Sequence, residues 1–137
     1  MERREFIKNC GITCLTGVGL AAFLESCRSL YYAPNTINGN IITVKKTDFG
    51  QNKYVLIRNE KLQAPVYLLK VSETEYSAVL MLCTHKGCEL NAGGSLLVCP
   101  CHGSEFSTTG KVQTSPAERD LQKYIVTTDN ESIFINL

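Results

Sequence analysis

Two short stretches, "CTHKGC" at residues 83–88 and "CPCHGSEF" at residues 99–106, restrict what this chain can become more than anything else in it. They hold four of the seven cysteines and both histidines, His85 and His102. In the second stretch Cys99 and Cys101 flank a single proline. Bound together to one metal they would crowd each other, and joined to each other they would close a badly strained ring. Each thiol needs a different partner, and the first stretch can supply them.

Cys83 with His85, and Cys99 with His102, each offer a thiolate and an imidazole. Such a set suits a tetrahedral zinc site, or a 2Fe–2S cluster with two cysteines on one iron and two histidines on the other. Cys88 and Cys101 remain, one beside each ligand pair, and can bridge the two loops tip to tip. A disulfide persists in exported proteins and is unusual in the cytosol.

The N-terminus reads as an export address. "MERREFIK" is a short basic segment, and the apolar run "CGITCLTGVGLAAFL" follows from Cys10 to Leu24. As a helix that run spans about 22 Å, short of the roughly 30 Å hydrocarbon core of a bilayer, but it matches the apolar region of a secretory signal. A short uncleaved anchor helix is the alternative. Arg3 and Arg4, followed by Phe6, Ile7 and Lys8, resemble the twin-arginine motif that exports proteins already folded. "LESC", Leu24 to Cys27, resembles a bacterial lipoprotein cleavage box, which makes Cys27 the lipid-bearing N-terminus. Cleavage there removes Cys10 and Cys14 and leaves one cysteine for lipid and four in the two stretches.

The remainder divides into an expected tether over residues 27–40, polar and turn-rich, and a domain over residues 41–137, after an export signal over residues 1–26. From Ile41 the pattern is short β-branched runs cut by turn residues: "IITVKK", "KYVLIR", "VYLLKV" and "YSAVLML" before the first stretch, "SLLV" between the two, "YIVTT" and "SIFINL" after them. Length and Val/Ile/Tyr content indicate strands, and "NG", "DFGQN" and "TDNES" indicate antiparallel turns. No helical apolar period follows residue 30. The expectation is a small all-β antiparallel sandwich or barrel, with both motif stretches leaving strand ends as loops at one end. With 137 residues and a net charge of +1, one domain is expected and a nucleic-acid or polyanion partner is not.

At these residues the chain resembles a known family. "CTHKGC…CPCHGS" is similar to the paired signature of Rieske iron–sulfur proteins, in particular the disulfide-bearing branch found in cytochrome bc-type complexes. The resemblance runs from about Cys83 to Pro116. It implies one 2Fe–2S cluster per chain, with Cys83 and Cys99 on one iron and His85 and His102 on the other, and a disulfide between Cys88 and Cys101. "SPA" resembles the family's proline loop, so Pro116 is expected over the cluster. Ser104 matches a serine that donates to a bridging sulfide. Phe106 stands where the family has a tyrosine that donates to a cysteine sulfur, so one tuning hydrogen bond is missing. Lys86 is a second departure: quinol-oxidising relatives usually carry an apolar residue there, which puts docking over a quinone site in doubt.

Formal charge explains why histidines matter. Two ferric ions, two sulfides and two thiolates sum to zero, whereas four thiolates leave the oxidised centre at minus two. Adding an electron to a neutral centre costs less, so potentials of histidine-ligated clusters run from roughly −150 to +300 mV, against about −400 mV for plant-type four-cysteine clusters. Each imidazole binds through one nitrogen and can expose the other, where reduction favours gain of a proton. The loss of the tyrosine donor implies a potential below that of members carrying both donors.

The function expected is one-electron transfer by a lipid-anchored subunit or carrier of a bacterial respiratory, cytochrome bc-like chain, exported folded to the periplasmic face of the cytoplasmic membrane. Its partners would be cytochrome b- or c-type subunits, with direct contact to quinol left open. The alternative is a small electron-transfer subunit of a periplasmic oxidoreductase, similar to the Rieske partner of arsenite oxidase. A ferredoxin of a ring-hydroxylating oxygenase is disfavoured by Cys88, Cys101 and the signal. A zinc-binding structural module is the remaining reading. No nucleophile, general base or further cofactor loop appears, so any enzymatic activity belongs to a complex that this chain supplies with electrons.

Overall fold

A computed structural model describes residues 30–137; Arg3, Arg4, Cys27 and the expected export signal lie outside the described residues. The strands are β1 (Thr36–Asn38), β2 (Ile41–Lys45), β3 (Tyr54–Ile57), β4 (Val66–Lys70), β5 (Tyr76–Leu80), β6 (Asn91–Gly93), β7 (Leu96–Val98), β8 (Glu105–Ser107), β9 (Val112–Thr114), β10 (Lys123–Thr128) and β11 (Ser132–Asn136). A single 3₁₀ turn, Lys46–Phe49, buries Phe49 after β2. The larger sheet runs in the order β1-β2-β11-β10-β5-β4-β3 and the smaller in the order β6-β7-β8-β9. Every pairing between these strands is antiparallel, as the all-β expectation requires.

Side-chain pattern explains why the sheets sit as they do. In β2 and β11 burial alternates, with Ile42, Val44, Ile133 and Ile135 inside and their neighbours outside, the period of a sheet wet on one face. The apolar runs of β3, β4 and β5 do not alternate, because both faces are covered. Val55, Ile57, Val66, Leu68, Ala78 and Leu80 enter the core of the larger sheet. Leu56, Tyr67 and Val79 point the other way, into a second core shared with Leu97 and Phe106 of the smaller sheet. Each such aliphatic side chain contributes about 1.5–3 kcal/mol by leaving water.

The second core also contains Cys83 and Cys99. The whole excursion that carries them leaves after β5 and returns at β10, and β5 and β10 are paired neighbours, with Lys123 opposite Val79 and Tyr124 opposite Ala78. The loops are thus rooted at both ends in the large sheet. Gly110, in the turn between β8 and β9, lets the small sheet close onto it: its φ is +90° and a Cβ there would lie 2.9 Å from Val79 Cγ1.

The expected tether is corrected in part. Tyr31–Leu137 form one compact unit, so the domain begins about ten residues before Ile41. Leu56 N–H donates to Tyr31 O at 2.9 Å and Ala33 N–H donates to Leu56 O at 2.8 Å, while β1 pairs with β2. One stretch therefore reaches both edge regions of the large sheet, which covers edges that would otherwise stand open. It does so by main-chain bonds, by the Asn35 side chain bonded to Arg58 O and Asn59, and by only two core-facing apolar side chains, buried Ala33 and partly buried Ile37, so it shows no apolar period. Strands β6, β8 and β9 were not expected either. Each is three residues long, and together they contain Asn, Gly, Glu, Ser, Gln and Thr where a strand signature calls for Val or Ile.

Candidate metal centre

The two motif stretches fold into loops with the same main-chain frame. In the first, Cys83 N–H donates to Cys88 O at 2.8 Å and Gly87 N–H donates to Cys83 O at 2.8 Å. In the second, Cys99 N–H donates to Ser104 O at 2.8 Å and Gly103 N–H donates to Cys99 O at 3.1 Å. Gly87 and Gly103 take matching left-handed conformations, with φ of 74° and 79°, which only glycine adopts without strain. The shared frame explains the spacing of the motif. Counting from the first cysteine of each loop, the glycine falls at the fourth following position and the closing carbonyl at the fifth. Different side chains then decorate one scaffold: His85 and Cys101 share the second position, and Cys88 and Ser104 share the fifth.

Cys88 and Cys101 are joined by a disulfide with Cα atoms 6.5 Å apart. This bond ties the fifth position of one loop to the second of the other. Cys83 and Cys99 stay as free thiols, 3% and 2% exposed. Pro100 therefore separates an outward, bridged Cys101 from an inward, free Cys99. The Sγ atoms of Cys88, Cys99 and Cys101 lie within 4.8 Å of one another. Because two of them are consumed by the bridge, this is a thiol resting against a disulfide and not a three-thiolate site. The rings of His85 and His102 sit edge to face, centroids 4.9 Å apart and planes at 81°.

The donor set fits a 2Fe–2S centre on features of the protein alone. His85 Nδ1 is buried and has no hydrogen-bond partner, an arrangement proteins avoid unless something else satisfies the atom. At Cys99, burial pushes the thiol pKa up. Hydrogen bonds from Cys101 N–H, the Cys83 side chain and His102 N–H outweigh it, and the thiol sits below its ordinary value. Main-chain donors aimed at a sulfur favour the thiolate, the form that binds metal.

A third segment closes the site. Ser104 is fully buried, and its Oγ accepts from Ala117 N–H at 2.9 Å. That bond uses the hydroxyl as an acceptor and leaves its O–H free to donate. Pro116 is exposed beside Ala117, so the proline loop is held to the second motif loop. It is also held to the first: Thr84 Oγ1 donates to Arg119 O at 2.6 Å, and the Arg119 guanidinium donates to Thr84 O at 3.4 Å. Sequence reasoning did not single out Thr84 or Arg119, and no local signal marks a contact between residues so far apart. Phe106 is fully buried in the second core with Cys99, and Lys86 is exposed on the first loop.

Comparison with known proteins agrees with this geometry. The sequence profile of the Rieske 2Fe-2S domain matches residues 40–125. The cytochrome b6-f complex iron-sulfur subunit of Prochlorococcus marinus (strain MIT 9303) is 34% identical, over 99% of this chain and 85% of the relative. The corresponding subunit of Synechococcus sp. (strain CC9605) is 28% identical with the same coverage. Among solved structures, the cyanobacterial plasma membrane Rieske protein PetC3 from Synechocystis PCC 6803 superposes with a TM-score of 0.58 at 32% identity, covering 74% of this chain and all of that one. Zinc would use the same four donors, but this family match decides for iron and sulfide. With its disulfide-pinned loops, its two-sheet fold and a profile match across most of its length, the chain belongs to the Rieske 2Fe–2S family.

Proposed function

We propose that this protein carries single electrons as the iron–sulfur component of a cytochrome bc- or b6f-like complex on the outer face of a bacterial cytoplasmic membrane. Cys83 and Cys99 hold one iron and His85 and His102 the other. When bound, the 2Fe–2S cluster supplies a centre that accepts and releases one electron. One observation carries the reading: the Cys88–Cys101 bond pins two equivalent loops together with their free thiols buried.

The surrounding residues have distinct tasks. The second core keeps water from the two cysteines. His102 is exposed and His85 half-buried, so the imidazole edge is where an electron passes to a partner. Ser104 keeps its O–H free to donate while its Oγ anchors the proline loop. Placement in a complex draws on the relatives, which are subunits of cytochrome b6-f complexes, and attachment to the membrane on lipidation of Cys27 after export through the Arg3–Arg4 motif.

The exposed Lys86 favours a second reading, in which the partner is a periplasmic oxidoreductase and quinol is not touched. Affinity purification from membranes, with identification of the bound subunits, separates the two. A cytochrome b-type subunit is the expected result; a molybdenum oxidoreductase in its place overturns the first reading. In the same preparation, mass spectrometry should find Cys27 as a lipid-modified N-terminus, and Cys27→Ala should move the protein to the soluble fraction. An unmodified Cys27 that stays membrane-bound contradicts the anchor.

A further inference from the structure

Beside the imidazole edge lies an open cleft of about 540 Å³ whose walls come from the first motif loop and the segment that follows the proline loop. Leu80 and Leu82 give it an apolar part, and His85, Lys86, Arg119 and Asp120 line it as well. The charges there do not cancel. Asp120 turns both carboxylate oxygens away from the cleft's cations: Oδ1 accepts from Val112 N–H at 3.0 Å, and Oδ2 pairs with Lys111 Nζ at 3.0 Å. Lys86 and Arg119 are both exposed, and neither enters an ion pair among the described residues. Glu118 precedes Arg119 in sequence but does not line the cleft.

Two cations that enter no ion pair among the described residues thus flank the cleft on the His85 side of the site. Arg119 is also not a free-swinging side chain. Its carbonyl and its guanidinium both bond to Thr84, on the loop that bears His85, so the charge is fixed relative to the ligand loop. Electrostatic complementarity at an interface acts chiefly on encounter rate and orientation, which is what a one-electron carrier needs from a partner it must also release.

We propose that this cleft is a docking surface for an acidic protein face, with Lys86 and Arg119 steering the electron-transfer partner onto the His85 side of the site. The proposal rests on the electron-carrier reading above and adds the chemical character of the partner. A protein face is favoured over a small anion because the cleft is open and not an enclosed pocket, and because the exposed Lys86 and Arg119 share its lining with apolar Leu80 and Leu82.

The test uses the cluster-loaded protein, reduced and mixed in stopped flow with two small oxidants of opposite charge. Hexacyanoferrate(III) takes one electron and becomes hexacyanoferrate(II); tris(phenanthroline)cobalt(III) takes one and becomes the cobalt(II) complex. Oxidation by the anion should be fast and should slow as ionic strength rises, since the Debye length falls from about 30 Å at 0.01 M to about 10 Å at 0.1 M. The Lys86→Gln/Arg119→Gln pair should cut the anion rate about tenfold at low salt, leave the cation rate unchanged or higher, and abolish most of the salt dependence. Arg119→Lys should retain the wild-type rate.

Binding is read separately by isothermal titration calorimetry with poly-L-glutamate. Binding by the wild type that is lost in the double variant supports the proposal. Equal slowing of both oxidants, or an anion rate insensitive to the double substitution, overturns it. So does saturation of the cleft by inorganic phosphate without binding of poly-L-glutamate, which would mark a small-anion site. A protein that reacts with neither oxidant would instead contradict the electron-carrier reading itself.

Discussion

At the scale of single residues, the loops around the site are tied by polar groups with defined partners, while His85 Nδ1 has none among the protein's own atoms. Ser104 is the clearest such tie. Its Oγ satisfies Ala117 N–H within a buried region, so Ser104→Ala leaves that donor unpaired. The expected loss is about 1–3 kcal/mol in chemical denaturation, together with a fall in reduction potential as the hydroxyl donor disappears. Unchanged stability would show that the proline loop is held by something else. Phe106 poses the opposite question. It is fully buried beside Cys99 in the second core, and a hydroxyl placed there costs free energy unless it finds a partner. Phe106→Tyr should raise the potential in protein-film voltammetry while keeping stability near wild type. An unchanged or lower potential would count against a missing donor at this position.

The four proposed ligand positions and the bridging pair were legible in the sequence because each is a chemically distinctive residue at a characteristic spacing. The shared main-chain frame of the two loops was not. It consists of N–H to carbonyl bonds that any residue can make, and its one sequence trace is the pair Gly87 and Gly103. The Thr84–Arg119 tie left no trace either, since it joins loops through main-chain carbonyls.

At the scale of elements, the disulfide and the small sheet do the positioning. Cys88 and Cys101 are 13 residues apart, and closing a loop of that order stabilises a fold by about 3 kcal/mol through the unfolded chain. The Cys88→Ala/Cys101→Ala protein should lose about that amount in urea unfolding and should release iron faster under acid or chelator. Equal stability and equal iron retention would mean that the second core alone holds the loops. Apart from β1, which fell in the expected tether, the large sheet's strands were readable from β-branched runs. That the runs of β3, β4 and β5 separate two cores was hidden, because the partner strands β6, β8 and β9 are too short and too polar to stand out. Ala92 of β6, Phe106 of β8 and Val112 of β9 join the second core with Leu56, Tyr67 and Val79 of β3–β5, a tertiary choice.

For the whole molecule, residues 31–38 are part of the domain and not a free linker. Residues 31–33 pair along β3 and residues 36–38 along β2, so the segment arriving from the N-terminal side is fixed where the domain begins. A chain starting at Leu30 should be more stable than one starting at Gly39, which loses Ala33 from the core and exposes both edge regions. A difference in melting temperature of about 4 °C or more is expected; identical melting would return these residues to the status of a tether. Polarity and turn residues made this segment look like linker, since it is held largely by main-chain bonds and the polar Asn35 side chain.

The central claim is that two cysteines and two histidines on disulfide-pinned loops hold diiron. Pulsed electron paramagnetic resonance of the reduced protein, on a sample analysed for iron and sulfide, tests it most directly. The account predicts two irons and two sulfides per chain and couplings to two imidazole nitrogens, one of which disappears when His85 is replaced by cysteine. A zinc-loaded, colourless protein, or a diiron signal without nitrogen couplings, would contradict it.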